Sequence, residues 1–551
     1  MLRASNSGAS ALRASIGTVA LIATLTALVG QVTPSAQASA DVGVKLPLAN
    51  FYDLVIDEEG GHVFVSGGLG SSEILVMDFD ATLAATVGDV PRAAGMVLID
   101  QTLYAVAEGR DQIYKVDAVT LEKTGSIELD VTAWGTLGVG GGRLWFAHSC
   151  GSFGSQVASV DLSTEVVTMH TGDFGCGLFA SSPVIPDALF MAGSSISRYD
   201  ISVDPPALVA KNWASDMTNI QDVAVMPDGQ GLLVTASAPY EIRQLSASDL
   251  KPTGFTYPLP PYPDALAVGP SHVVGGVHGI YEPDVHVFPA GDPTPSESVD
   301  FDGTPGPYLY PRGVGITEDE ARIFAVTGTS IYGGDAYFHS LYGPAIKITA
   351  LTLATSKGTI GFGKSAKLTA HLDAFAQSSN KKVSIYKEPI NGTKTLLTSG
   401  LVDGDGDLTV KVSPSKNTKY TATWAGEADW RPAESNSRTV RVKVITTGKL
   451  LGAYGKQAKY HLYDEGDDPI YKGKVVPNHA GNKLVVVLEV RFAGKWKSLG
   501  KLKATLGKKS SVFIELVDPA GGYSFRIRGW FSHGEDHAKD GSPWAYFKVV
   551  A

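Results

Sequence analysis

With 551 residues, 44% of them hydrophobic and only 19% charged, the chain is long enough for several packed domains and too apolar to be disordered. Its formal charge of −10 hides a split, because residues 41–345 carry 12 basic against 38 acidic side chains (−26) and residues 346–551 carry 32 against 18 (+14). The acidic half argues against a nucleic-acid partner, and two cysteines exclude a disulfide-dense scaffold and a thiol-rich metal site.

In chain order, Arg3 and Arg13 precede an apolar run over 16–29 and then the small residues Ala38, Ser39 and Ala40. This pattern predicts a secretory signal peptide over 1–40, cleaved before Asp41. No later run reaches the roughly twenty apolar residues of a membrane span. The expectation is an exported protein without a membrane span, held to a cell surface, if at all, non-covalently.

From residue 50 to 344 a unit of about forty-two residues recurs. YDLVIDEEGGHVFVSG from Tyr52, AWGTLGVGGGRLWFAH from Ala133, QDVAVMPDGQGLLVTA from Gln221 and PRGVGITEDEARIFAV from Pro311 each read strand, Gly/Asp turn, strand. Seven copies fit, at 50–90, 91–130, 131–175, 176–217, 218–260, 261–303 and 304–344, with the fourth and seventh departing from the pattern. One four-stranded unit cannot bury both its faces, so the copies must stack, and radial stacking protects the sheet edges. In ILVMDFDATL, IYKVDAVTLEK and VASVDLSTEV the third strand ends in Asp before a short turn. At these points the chain resembles the YVTN-type β-propellers of bacterial and archaeal surface proteins. That resemblance implies a seven-bladed β-propeller over 41–345.

Beyond it the strands shorten and alternate, as in SAKLTAHL, KKVSIYKE and RTVRVKVIT. TKYTATWAGEADWRPAESNSRTVRVKV resembles the end of a bacterial immunoglobulin-like domain, and LVVVLEVRFAGKWKSLGKL with GGYSFRIRGWFSHGEDH suggests a second. The fold class is therefore all-β, a propeller followed by Ig-like β-sandwiches at 346–445 and 446–551.

The start of each blade's first strand should face a central channel. Counting along the copies places Asp53, Trp134, Phe179, Asp222, Asp264 and Gly313 in one column, with Arg92 and Arg312 a step away. Carboxylates, guanidinium groups and an indole around one axis make a polar mouth for a small ligand, and the carboxylates are candidate ligands for calcium, with no other cofactor indicated. In an oxidising compartment the isolated pair Cys150 and Cys176 reads as a disulfide. The two cysteines fall in loops that share one face of a propeller, which allows the bond.

Other motifs read as structural. VDGDGDLTV lacks the glycine and the final glutamate of an EF-hand and reads as a hairpin turn. HGEDH, with His533 and His537, has neither the order nor the helix of a zinc hydrolase and reads as a solvated loop. His272, His278, His286, Glu282 and Asp284 would scatter over both faces of a sheet, and Gly138 to Gly142 is a turn without a following helix. No GxSxG elbow is present, so metal ligands and catalytic residues are both unassigned.

The reading that follows is a secreted or cell-surface binding protein rather than an enzyme. The propeller would be its recognition domain, and the basic sandwiches its spacer and attachment to an anionic envelope polymer or an extracellular glycan or protein. The alternative is an exported propeller enzyme, a lyase, lactonase-like hydrolase or quinoprotein-like oxidoreductase, working in the channel.

Overall fold

The computed structural model describes residues 2–4, 43–151, 154–174, 177–279, 282–301, 304–330, 333–373, 381–427, 429–532 and 535–550. They form two compact units, one spanning Gly30–Ile346 and the other Lys347–Ala551 with Met1–Val29. The pairing of Cys150 with Cys176 lies outside the described residues.

In the first unit the chain builds one four-stranded antiparallel sheet after another. The first runs Asp53–Asp57, His62–Ser66, Ile74–Asp78 and Leu83–Val87, in spatial order. Apart from the sheet that closes the ring, each sheet has its earliest strand on the inside. The inner strands are Asp53–Asp57, Ala93–Ile99, the C-terminal part of Glu122–Gly140, Gly177–Ala180, Thr218–Val225, Pro263–Val268 and Tyr308–Ile316. Each touches the next, and the last touches the first, so the series closes into a ring, the arrangement of a β-propeller.

Cores lie between adjacent sheets. In His62–Ser66, Phe64 packs with Met96 and Leu103 of the following sheet, while Val63 and Val65 pack with Tyr310 and Phe324 of the sheet that closes the ring. Alternate side chains of one strand thus face opposite neighbours, and the strand reads as a continuous apolar run because both its faces are covered. Asp side chains organise the turns. Asp78 accepts hydrogen bonds from the amides of Asp80 and Thr82, Asp117 from Val119 and Thr120, and Asp161 from Ser163 and Thr164. These are Asx turns, the physical reason for the recurring Asp after the third strand.

The ring closes with a strand that no repeat contains. Val44–Lys45 is the outermost member of the final sheet, pairing with Ala336–Tyr342 in the register Val44↔Phe338 and Lys45↔Tyr337. Leu46 and Leu48 follow it into the core beside Phe51 and Phe338.

In the second unit two pairs of sheets each enclose a core. Residues 350–443 contribute Ala350–Thr355, Ala366–Asp373 and Asp407–Val412 to one sheet, and Lys382–Pro389, Thr395–Leu401, Thr418–Trp424 and Arg438–Lys443 to the other. Leu353, Leu368, Val383, Ile385, Tyr420 and Val440 fill the space between them. A second sandwich over 445–550 packs around Tyr471, Leu484, Val486, Ile514, Ile527 and Phe547.

Two expectations are corrected here. The VDGDGD segment does turn tightly, with Asp403 accepting from the amides of Asp405 and Asp407, but its flanking strands Thr395–Leu401 and Asp407–Val412 belong to different sheets. It is a sheet-to-sheet crossing, not a hairpin. His537 is not in a solvated loop: only 6% of it is exposed, and the backbone of its segment hydrogen-bonds the first sandwich through Asn417 N to Asp536 O at 2.7 Å and Ala538 N to Val442 O at 2.7 Å. His533 lies outside the described residues. Among the described residues no helix is long and apolar enough to cross a membrane.

Candidate functional site

Several inner strands share one irregularity. The strands of Ala93–Ile99, Glu122–Gly140, Thr218–Val225, Pro263–Val268 and Tyr308–Ile316 carry a register shift near their start. At or just before each shift lies a residue with left-handed backbone, Arg92 (φ 65°), Gly135 (φ 79°), Asn219 (φ 56°), Tyr262 (φ 67°) and Arg312 (φ 59°). A bulge re-aims the side chain it carries. Glycine is the residue that suits such a backbone, so Arg92, Tyr262 and Arg312 hold it at a cost of about 1–3 kcal/mol each. These residues sit near the register shifts of the inner strands.

A cavity of about 400 Å³ opens there, lined by Tyr52, Trp134, Thr136, Ile220, Gln221 and Arg312 among others. Arg312 crosses from the last sheet to the first: its Nη2 donates to Tyr52 O at 2.8 Å and its guanidinium lies 4.8 Å above the Tyr52 ring. Its Nη1 is buried without a hydrogen-bond partner. Trp134 is 41% exposed and lines the same cavity. Arg92 stands beside it, since a Cβ on Gly109 would lie 3.1 Å from Trp134 Cη2 and 3.2 Å from Arg92 Nη2.

Of the residues anticipated at the mouth, Trp134 and Arg312 line the cavity, Arg92 flanks it, and the carboxylates do something else. Asp53 Oδ2 accepts from Met96 N at 2.9 Å, and Asp222 Oδ2 from Leu266 N at 2.8 Å. Thr136 Oγ1 does the same for Phe179 N at 2.9 Å. These bonds span 43, 44 and 43 residues, so each reaches from one inner strand to the next at the period of the repeat. In each case the donating amide of one inner strand is satisfied by a side chain of the strand before it. Asp53 and Asp222 each tie one sheet to the next.

Burial pushes the Asp53 carboxyl up, against the pull of Arg312 and the Met96 and Leu54 amides. Burial also pushes Asp222 up to about 7, opposed by Leu266, Arg312 and Val223 and assisted by Asp53. Both carboxyls feel Arg312, which confirms that the three strands converge.

Asp264 is 1% exposed and pairs with His278 Nδ1, leaving its Oδ1 without a partner. Burial raises this carboxyl while His278 lowers it, and the His278 ring stacks on Tyr262 at 5.0 Å. The other histidines of that copy separate as strand alternation requires: His272 pairs with Glu320, and His286 bonds Pro283 O and Ser298. Tyr52 and Gln221 escaped the sequence reading because each directly precedes a column residue, and for Gln221 a register shift falls between Ile220 and Asp222.

The second sandwich carries a different surface. On one sheet face Arg526 lies 4.6 Å from the Trp496 ring and 4.2 Å from Trp544, and Arg528 lies 4.4 Å from Trp544 and 5.6 Å from Trp530. Tyr546 and Lys459 extend this ladder of indoles and cations. The adjacent edge strand Lys495–Thr505 exposes Lys495, Lys497, Lys501 and Lys503, a common defence of a sheet edge.

No protein-family model matches the chain, and no curated protein matches it. Among solved structures it is similar to the β-propeller domain of Cps50 (Swd1) from Myceliophteria thermophila, with 12% identity and a TM-score of 0.40 over 54% of this chain and 99% of that one. A complex of KlAtg21 with the coiled coil of AgAtg16 shows 11% identity and a TM-score of 0.32 over 51% and 82% of the two chains. A nidogen/laminin complex shows 11% identity and a TM-score of 0.33 over 43% and 92%. At these values the likeness says nothing of ligand or activity.

Proposed function

We propose that the chain is a secreted, non-enzymatic binding protein whose propeller has seven blades and holds an anionic, ring-bearing ligand, such as a carboxylated sugar, at the mouth of its channel. One observation carries this reading: a cavity of about 400 Å³ is lined by both the exposed Trp134 and Arg312, whose Nη1 has no partner. Stacking and a charge-assisted hydrogen bond are the two contacts such a ligand needs. The sandwiches are read as Ig-like, supported by the parallel pairing of an early strand with the last in both, Thr359–Gly361 with Arg438–Lys443 and Tyr460–Asp464 with Ala545–Val550. Their +14 charge and their ladder of indoles and guanidinium groups suit attachment to an anionic envelope glycan.

Calorimetric titration of the full chain with neutral and uronic-acid oligosaccharides tests the mouth. Acidic sugars should bind, and Arg312→Ala should weaken them by about tenfold or more. Arg92→Gly should also weaken binding yet leave stability within about 1 kcal/mol, because relief of the left-handed arginine offsets glycine's entropy. Equal affinity for neutral and acidic sugars would refute the reading.

Attachment has its own assay. The full chain should sediment with washed envelopes at low salt and be released as salt rises, and substitution of Trp544, Arg526 and Arg528 by Ala should leave it in the supernatant at every salt concentration.

The Asp264–His278 pair favours a second reading, an exported enzyme, because a buried carboxylate on Nδ1 is how an imidazole is held as a general base. A lyase, a lactonase-like hydrolase or a quinoprotein-like oxidoreductase would then lose turnover in His278→Ala while keeping its affinity.

A further inference from the structure

Where the two sandwiches join, two imidazoles and a carboxylate converge. His479 follows the strand Ile470–Val476, and Asp536 and His537 lie between Ser524–Phe531 and Ala545–Val550. The histidine side chains are 3% and 2% exposed. His479 Nδ1 is 2.8 Å from Pro477 O, and His537 Nε2 is 2.7 Å from Ser415 O. A carbonyl only accepts, so those nitrogens carry the protons. In the neutral rings His479 Nε2 and His537 Nδ1 are therefore bare lone pairs, and both are buried without a hydrogen-bond partner.

Both bare nitrogens lie near the Asp536 carboxylate. His479 Nε2 is 3.6 Å from its Oδ1 and His537 Nδ1 is 3.2 Å from its Oδ2, and one ligand atom from each of the three residues fits within 4.8 Å. Two buried, unpartnered lone pairs beside a carboxylate that is 33% exposed are unfavourable unless a cation stands among them. Tetrahedral ligands about 2.1 Å from one ion are about 3.4 Å apart, which is this spacing. The carbonyl-bound distal nitrogens are the outer shell that orients metal-binding histidines. Imidazole with carboxylate suits a borderline first-row cation and not calcium or magnesium.

We propose that His479, Asp536 and His537 bind a divalent transition metal, Zn²⁺ by preference, with the fourth position open to water. The segment that supplies two ligands also grips the other sandwich through Asn417 N to Asp536 O, Asn417 Nδ2 to Glu535 O at 2.9 Å and the Phe362 ring 6.2 Å from His537. The ion ties that segment to His479 of its own sandwich and so stiffens the joint.

The test uses the full chain, stripped by a chelator and titrated at pH 7.5 with Co²⁺ and then Zn²⁺. The expected result is one ion per chain, visible absorption of tetrahedral cobalt that zinc displaces, and a melting transition raised by about 5–10 °C at a hundredfold excess over Kd. His479→Gln and Asp536→Asn, shown folded by circular dichroism, should lose all three. If either variant does not fold, the cobalt spectrum of the unaltered protein decides. The proposal is overturned if no stoichiometric ion binds and the melting point instead climbs as pH falls through about 6.5, which would show protons holding the cluster.

Discussion

Deleting residues 43–48 is expected to be the most damaging small truncation of the first unit. Leu46 is 1% and Leu48 6% exposed, and removing two buried leucines costs about 3–6 kcal/mol, a large part of the stability of an ordinary domain. The pairs Val44↔Phe338 and Lys45↔Tyr337 and the bond from Leu46 N to Ala336 O at 2.8 Å go with them. The strand Ala336–Tyr342 would then present a free apolar edge, a template for pairing with another chain. Equilibrium unfolding in urea should show a lower midpoint, and analytical ultracentrifugation should show concentration-dependent association. An unchanged midpoint in a monomeric variant would mean that the ring is held shut by its cores and by Arg312 without the added strand.

Asp222→Asn should change the shape of the stability curve with pH. Burial holds this carboxyl near 7, well above its value in an unfolded chain, so the folded state binds a proton that the unfolded state has lost. The group's contribution is complete below about pH 4 and disappears as pH rises through about 7, with a slope of at most about 1.4 kcal/mol per pH unit between those limits. Asparagine cannot titrate. It also cannot accept from both Val223 N, 2.8 Å from Oδ1, and Leu266 N, so the variant should be weaker by about 1 kcal/mol in acid and gain on the parent as pH rises. Urea unfolding of both proteins from pH 4 to 8 measures the difference directly. Parallel curves would show that Asp222 titrates as an ordinary surface carboxyl.

The apolar run HVFVS revealed its place because Phe64 and its neighbours Val63 and Val65 serve different cores, and the recurring Asp announced its turns because Asx turns are local. What stayed hidden was non-local. Val44–Lys45 belongs to no repeat, and its partner lies at the far end of the ring. Tyr52 and Gln221 line the cavity while Asp53 and Asp222 accept from backbone amides one sheet on, which no count along a regular strand can show. Trp134 and Arg312 were legible because the repeat placed them near the axis. His479 and His537 were not, because they come from separate loops and only the packing of two sheets brings their rings to 4.8 Å.

The strand that shuts the ring also sets the timetable of its assembly. A chain made from its N-terminus exposes Val44 first and must leave it unpaired until Phe338 has emerged, with every intervening sheet made in between. Neighbouring sheets can zip together early through local contacts, but the last docking waits for the longest loop in the unit to close, a step that topology makes slow. During that interval the edges of the first and last sheets are open. A protein of this design is at greatest risk of misassociation just before it is finished, and conditions that keep nascent chains apart will govern its yield more than its final stability does.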